Sequence, residues 1–207
     1  MKPGEREPDL EFWFDFASTY SYIAAMRIED LCGKAGVKLV WMPFLLGPIF
    51  ELQGWNDSPF NINERRGAYM WRDMERLTDK FGLPWVRPTA FPRGSTLPAR
   101  VACSIADQPW CGDFIRAVFT ANFGEDRDIG DAAVVLDVLR RLGLPADEIV
   151  ARALEPDKRG RLRANTARAI ELGIFGAPNC LVRGELFWGE ESLEDAISWA
   201  ARSENGA

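Results

Sequence analysis

The chain reads as an α/β protein in which a βαβ unit at the start and a ββα unit at the end are separated by a long helical block. Three observations predict this. Residues 10–42 pass from strand to helix to strand patterning. Residues 44–172 carry apolar stripes at helical spacing, and residues 173–200 return to strand patterning around a tight turn.

Leu10 to Phe16, L-E-F-W-F-D-F, sets Phe12, Phe14 and Phe16 against Glu11, Trp13 and Asp15, the alternation of a strand with one buried face. A small polar turn, Ala17-Ser18-Thr19, follows. Tyr20, Ala24, Ile28, Leu31 and Ala35 then recur at helical spacing, and Gly36 ends the helix. Val37 to Met42 is apolar and β-branched, so it predicts a second strand, joined to the first by a right-handed parallel crossover. Pro43 to Asn63 is rich in Gly, Pro and Asn and predicts a long connection, a length that marks a functional loop or an insertion.

Helical stripes fill the middle. Met70, Met74, Leu77 and Phe81 form one, ended by Gly82 and Pro84. Ile115, Val118 and Phe119 form another, and Val135, Val138, Leu139 and Leu142 a third. Ala153 to Leu172 is helical by propensity with a break near Pro156. All are expected to pack a core. Cys180 to Val182 and Leu186 to Trp188 then read as a hairpin turning at Arg183-Gly184-Glu185, before a last helix striped by Leu193, Ala196, Ile197 and Ala200. This order is that of a thioredoxin-type domain, residues 9–43 and 173–207, carrying an all-helical insertion domain, residues 44–172.

Composition narrows the function. The chain is 47% hydrophobic and 27% charged, as a soluble globular protein is, and no apolar run approaches the roughly 18 residues of a membrane span. The first nine residues are polar and lack a signal-peptide core, so a cytoplasmic protein is expected. Net charge is −6 with Arg and Lys scattered, which leaves no footprint for nucleic acid. There is no histidine, which removes Ser-His-Asp triads, Cys-His pairs and His-ligated zinc together. Cys32, Cys103, Cys111 and Cys180 form no C-x-x-C and match no zinc-ribbon spacing, so four reduced, buried thiols and no metal are expected.

Two segments carry chemistry. The first is the strand-to-helix turn around Ser18. A helix N-terminus presents unpaired N–H groups and partial positive charge, which stabilise an anion. Thioredoxin-type redox proteins place a cysteine thiolate there. Here Ser18-x-x-Ser21 stands instead, which cannot exchange disulfides but can donate a hydrogen bond to the thiolate of a ligand. The same serine also suits a plain helix N-cap. The second segment is Gly176-Ala177-Pro178 just before a strand, where a cis proline is expected, with Ala177 free to pair with a peptide-like ligand as an added strand.

Together these segments resemble a family. Phe14 to Arg27, F-D-F-A-S-T-Y-S-Y-I-A-A-M-R, is similar to the opening of 2-hydroxychromene-2-carboxylate isomerases and kappa-class glutathione transferases, which are DsbA-like in fold. Pro43 to Pro59, Gly67 to Glu75 (G-A-Y-M-W-R-D-M-E) and Gly173 to Leu193 (G-I-F-G-A-P and L-F-W-G-x-x-x-L) resemble later parts of the same proteins in the same order. The resemblance implies a glutathione-dependent cis/trans isomerase of aromatic catabolism, acting on 2-hydroxychromene-2-carboxylate-like aromatic pyruvates, and a homodimer. By position it makes Ser18 the residue that activates the glutathione sulfur. It gives Ala177 and Pro178 to the cysteinyl backbone, Glu190, Glu191 and Ser192 to the γ-glutamyl end, and Asn56 and Arg66 to the glycine end. Arg65, Arg66 and Arg93 become candidates for the carboxylate of a small aromatic substrate, and Phe44, Trp55, Tyr69 and Trp71 for its ring. Three positions depart from the family: Thr19 for Pro, Asn179 for Ser or Thr, and Glu191-Ser192 for Asp-Arg, which removes a positive charge. The alternatives are a kappa-like transferase or DsbA-type relative acting on another electrophile, and a non-catalytic glutathione or peptide binding module. The missing C-x-x-C counts against dithiol chemistry.

Overall fold

In the computed structural model, which describes residues 9–202, the chain opens as the patterning predicts. Strand β1 (Asp9–Phe14) leads into helix α1 (Thr19–Ala35) and returns as β2 (Lys38–Pro43), paired parallel to β1 from Asp9 opposite Lys38 to Phe14 opposite Pro43. Ser18 caps α1, its side chain accepting the Ser21 N–H, and Gly36 closes the helix at φ 65°. That left-handed turn suits glycine because it has no Cβ to clash.

Eight helices follow: α2 (Leu46–Leu52), α3 (Pro59–Ile62), α4 (Glu64–Phe81), α5 (Thr96–Ser104), α6 (Cys111–Phe123), α7 (Ala132–Arg141), α8 (Ala146–Ala153) and α9 (Pro156–Glu171). Strands β3 (Asn179–Val182) and β4 (Glu185–Trp188) then form the hairpin, and α10 (Leu193–Ala201) ends the fold. The sheet order is β2-β1-β3-β4, with β3 antiparallel to both neighbours.

Three expectations need correction. Pro43–Asn63 is not a bare loop, because α2 and α3 lie within it. Pro59 at the start of α3 is a helix-initiating position that composition alone reads as a breaker. The first strand is not exposed on one face. Leu10, Phe12 and Phe14 are fully buried in the main core, and Trp13 on the other face is equally buried with Phe44, Ile49, Ala169, Ile174 and Leu181. Helices α2 and α9 cover that second face, which period-2 alternation within one strand cannot reveal.

Nor does the main core stop at residue 44. It runs unbroken from Phe12, Phe14 and Ile28 through Met70, Phe114 and Phe119 to Val135 and Leu139. Phe119 of α6 stacks near Phe14 (5.9 Å), Phe16 (4.9 Å), Tyr22 (6.1 Å) and Phe123 (6.5 Å). The helical block is therefore inserted in sequence while sharing one hydrophobic interior with the sheet.

One close approach fixes the corner between α3 and α4. A Cβ on Gly67 would stand 2.3 Å from the carbonyl oxygen of Phe60, so only glycine lets these two backbones meet. No helix among the described residues is long and apolar enough to cross a membrane.

Candidate active site

A cleft of about 1440 Å³ opens where the N-terminus of α1, the segment before β3, α2 and α4 converge. Ser18 lies at its floor. Its hydroxyl accepts the Ser21 N–H at 3.1 Å and donates to the carbonyl of Ala177 at 3.1 Å, a partner 159 residues away. The Ala177–Pro178 peptide bond is cis. The two half-sites that the sequence separates are thus in direct hydrogen-bond contact. The N–H groups of Thr19 and Tyr20, first in α1, have no upstream carbonyl within the helix to bond, so they and the helix dipole bring positive potential to the same floor. Thr19, which stands where the family has proline, turns its hydroxyl onto the sulfur of Met70 in α4 at 3.2 Å.

A buried carboxylate braces this floor. Asp15 accepts the N–H of Ala17 at 2.9 Å and the N–H of Leu46, at the start of α2, at 2.8 Å. Burial pushes its carboxyl above the ordinary value, and the two backbone N–H bonds work against that rise. Sequence reading assigned Asp15 only to strand alternation. The turn position just ahead of the capping serine was the signal available.

The walls hold most of the expected site residues. Trp55, Asn56, Arg65, Arg66, Tyr69, Arg93, Glu190 and Glu191 line the cleft along with Ser18 and Ala177. Pro178 and Ser192 do not form part of the wall. Ser192 donates its hydroxyl to the Trp188 carbonyl at 2.9 Å instead. Arg65, Arg66 and Tyr69 share one side of α4, and neither arginine has an ion-pair partner among the described residues. Both are exposed and able to meet an anion.

Arg93 differs from the expectation. Its guanidinium is almost wholly buried, ion-paired to Asp126 and hydrogen-bonded to the carbonyls of Asn122 (3.2 Å) and Arg127 (2.9 Å). Its two terminal nitrogens are spent tying the Phe91–Ser95 segment to the end of α6 and only the buried Nε lacks a partner, so the forked end is not available to a substrate carboxylate. Glu190 is likewise committed, paired with Arg27 at 3.2 Å. Burial raises its carboxyl pKa while the Arg27 charge opposes the rise. Phe44 packs against Trp13 at 6.1 Å, and Trp71 packs edge-on to Phe91 at 4.9 Å, so both serve the interior rather than a ligand ring. An aromatic pair the sequence reading did not single out takes their place at the rim. Phe175 and Trp188, each half-exposed, lie 4.9 Å apart and line the cleft. The Trp188 indole nitrogen sits only 3.0 Å from where a Cβ on Gly176 would be, so glycine there lets the indole lie against the backbone beside Ala177.

The cysteines take no part. All four are free and buried. Burial pushes the thiols up, to about 11 at Cys32, about 12 at Cys103 and Cys111, and beyond that at Cys180. Such thiols stay protonated and unreactive at neutral pH. The expected result with a water-soluble thiol reagent is no rapid labelling of the folded protein and four equivalents after unfolding. Rapid labelling of any one cysteine before unfolding would contradict this picture.

The likeness to known proteins agrees with this architecture. A family model described as a DSBA-like thioredoxin domain matches residues 9–197. The 2-hydroxychromene-2-carboxylate isomerase of Sphingobium xenophagum is 27% identical over 186 residues, covering 89% of this chain and 94% of the relative. Glutathione S-transferase kappa 1 of Caenorhabditis elegans is 23% identical over 180 residues, covering 83% and 79%. Among solved structures, a 2-hydroxychromene-2-carboxylate isomerase superposes with a TM-score of 0.82 at 23% identity, over 92% of this chain and 93% of the other. The family model's match over residues 9–197, nearly the whole chain, makes the chain a member of the DSBA-like thioredoxin domain family.

Proposed function

We propose that the cleft binds glutathione and uses its thiolate to isomerise a conjugated alkene in a small aromatic carboxylate of the 2-hydroxychromene-2-carboxylate type. The observation that carries this reading is the contact between Ser18 at the head of α1 and the carbonyl of Ala177. It sets a helix end able to stabilise a thiolate beside the backbone segment before the cis proline, the two features a cysteine-containing peptide needs in one place, although the Ala177 carbonyl is not free as expected and a ligand would have to displace Ser18 from it. Relatives named as isomerase and as kappa-class transferase support it.

In this reading the N–H groups of Thr19 and Tyr20 would lower the thiol's pKa, and the Ser18 hydroxyl would turn its one proton from the Ala177 carbonyl to the thiolate. Bound glutathione would supply a nucleophile for reversible addition to the conjugated alkene, allowing rotation about the former double bond and release of the thiol unchanged. Arg66 and Asn56 meet the glycine carboxylate, Arg65 the substrate carboxylate, and Tyr69, Trp55 and the Phe175–Trp188 pair enclose the ring.

The test is an ultraviolet assay on 2-hydroxychromene-2-carboxylate with and without glutathione, with the thiol quantified at the end. Turnover that requires glutathione and leaves its concentration constant supports isomerisation. Stoichiometric loss of glutathione supports the transferase alternative, and no turnover or thiol binding removes both. Within that assay, Arg65→Gln and Arg66→Gln are each expected to lower kcat/KM by roughly 10- to 100-fold, the scale of a lost charge-assisted hydrogen bond. Arg93→Gln is expected to act instead on melting temperature, because its guanidinium is spent on Asp126 and Asn122. A large KM effect from Arg93→Gln without loss of stability would reverse that assignment.

A further inference from the structure

The turn that carries Ser18 to the head of α1 is held from both sides. Residues 15–18 close on themselves, because the Ser18 N–H donates to the Asp15 carbonyl at 2.9 Å. The peptide at the centre of such a turn, here Phe16–Ala17, is the unit that can swing over while the two ends stay joined. Its N–H donates to the Asp15 carboxylate at 2.9 Å. Its carbonyl, on Phe16, accepts the side-chain amide of Asn122 at 2.9 Å, from a residue 106 positions later in the chain. Two different elements thus pin the two ends of one peptide plane. Ala17 stays out of the left-handed region that the swung-over orientation demands.

Asn122 is buried at the penultimate position of α6 and does not line the cleft. Its amide oxygen accepts the Arg93 guanidinium at 3.2 Å, and Arg93 is held in turn by Asp126. A cation can face only the oxygen, so the NH2 group faces the Phe16 carbonyl and the amide has a single orientation. The charged donor on its oxygen also strengthens the N–H that it offers.

We propose that Asn122 is a positioning residue for the thiol chemistry, fixing the Phe16–Ala17 peptide and through it the aim of the Ser18 hydroxyl and of the first N–H groups of α1. It touches neither thiol nor substrate. This rests on the reading that a thiolate is held at Ser18, the residue just beyond the pinned peptide. The Ser18 hydroxyl has to leave the Ala177 carbonyl for the sulfur without the backbone beneath it turning as well. With the Phe16 carbonyl released, that plane rocks, and donors that must meet one sulfur atom together lose their common aim.

Three variants of the full chain, assayed with glutathione below their melting temperatures, test the proposal. Asn122→Leu keeps the side-chain volume and removes both hydrogen bonds. Asn122→Asp keeps an acceptor for Arg93 and takes away the donor to Phe16. Leu139→Ala, in the buried face of α7, is the control for lost stability alone. Both Asn122 variants are expected to lower kcat for glutathione-dependent turnover about tenfold, as a small misplacement of reacting groups does. They should also raise the midpoint of bound-thiolate absorbance by about one pH unit, a tenfold change in that equilibrium. Leu139→Ala is expected to lower the melting temperature and to move neither. Amide exchange in the free proteins gives a readout that needs no ligand. The Ser18 and Ser21 N–H groups, bonded to the Asp15 carbonyl and the Ser18 hydroxyl, should exchange faster relative to those of β1 in the Asn122 variants only. Asn122 variants with unchanged kcat and midpoint would overturn the positioning role and leave the thiol reading standing, whatever their melting temperature. Unchanged relative exchange at Ser18 and Ser21 would overturn it as well. A wild-type chain that neither binds nor uses glutathione would instead overturn the thiol reading, and the positioning role with it.

Discussion

Phe119→Ala is expected to destabilise the protein by about 3–5 kcal/mol, the range for emptying a buried aromatic site, and to lower the melting temperature by roughly 6–20 °C. The residue is fully buried and touches rings from β1, the turn after it, and α1 as well as its own helix. Against a typical total of about 5–15 kcal/mol, that loss is a large part of the whole. The experiment also tests how the helical block relates to the sheet. Because Phe119 belongs to the block and packs on the strand, helical circular dichroism and tryptophan fluorescence should melt together, before and after the substitution. Two separated transitions, with only the helical signal moved by Phe119→Ala, would mean that the block has a core of its own.

Ser18→Ala is expected to lower glutathione-dependent turnover by about 10²-fold or more, the scale of losing one oriented hydrogen bond to a developing or stabilised charge. It should also cost about 1 kcal/mol of stability, because the same oxygen caps α1 through the Ser21 N–H. The two effects separate by comparison with Ser21→Ala. The Ser21 hydroxyl is buried without a hydrogen-bond partner, so removing it should leave turnover unchanged and stability equal or slightly higher. Absorbance of the bound thiolate, followed as pH is raised, gives a second readout: its midpoint should rise in Ser18→Ala and stay put in Ser21→Ala. A folded Ser18→Ala protein with full turnover and an unmoved midpoint would remove the serine from the mechanism.

Local pattern carried much of this fold. The first strand and helix, the stripes of α4, α6 and α7, and the final hairpin were all readable because caps and periodicity act over a few residues. Gly36 after α1 and Gly82 after α4 both adopt the left-handed turn that ends a helix. What local pattern could not hold was pairing across the chain. Trp13 reads as the exposed side of a strand until α2 and α9, which begin more than thirty residues later, cover it. Arg93 reads as a free cation until Asp126 and Asn122 arrive from the end of α6. Glu190 reads as a ligand group until Arg27, 163 residues away, occupies it. In each case the missing information was which partner reaches a charged or aromatic group first.

Asp15 has a consequence for how the cleft meets a ligand. Its two oxygens fasten the turn below Ser18 to the first residue of α2, so floor and wall are joined by one side chain before anything binds. A floor joined in this way has little freedom left to lose. An incoming thiol then gives up chiefly its own translation, rotation and internal rotors, and the floor contributes little ordering entropy beyond that of the exposed side chains on the wall. Binding at this site should therefore be governed by the fit of the ligand's two ends and only weakly by its ability to organise the receptor, which is the thermodynamic behaviour of a preformed template.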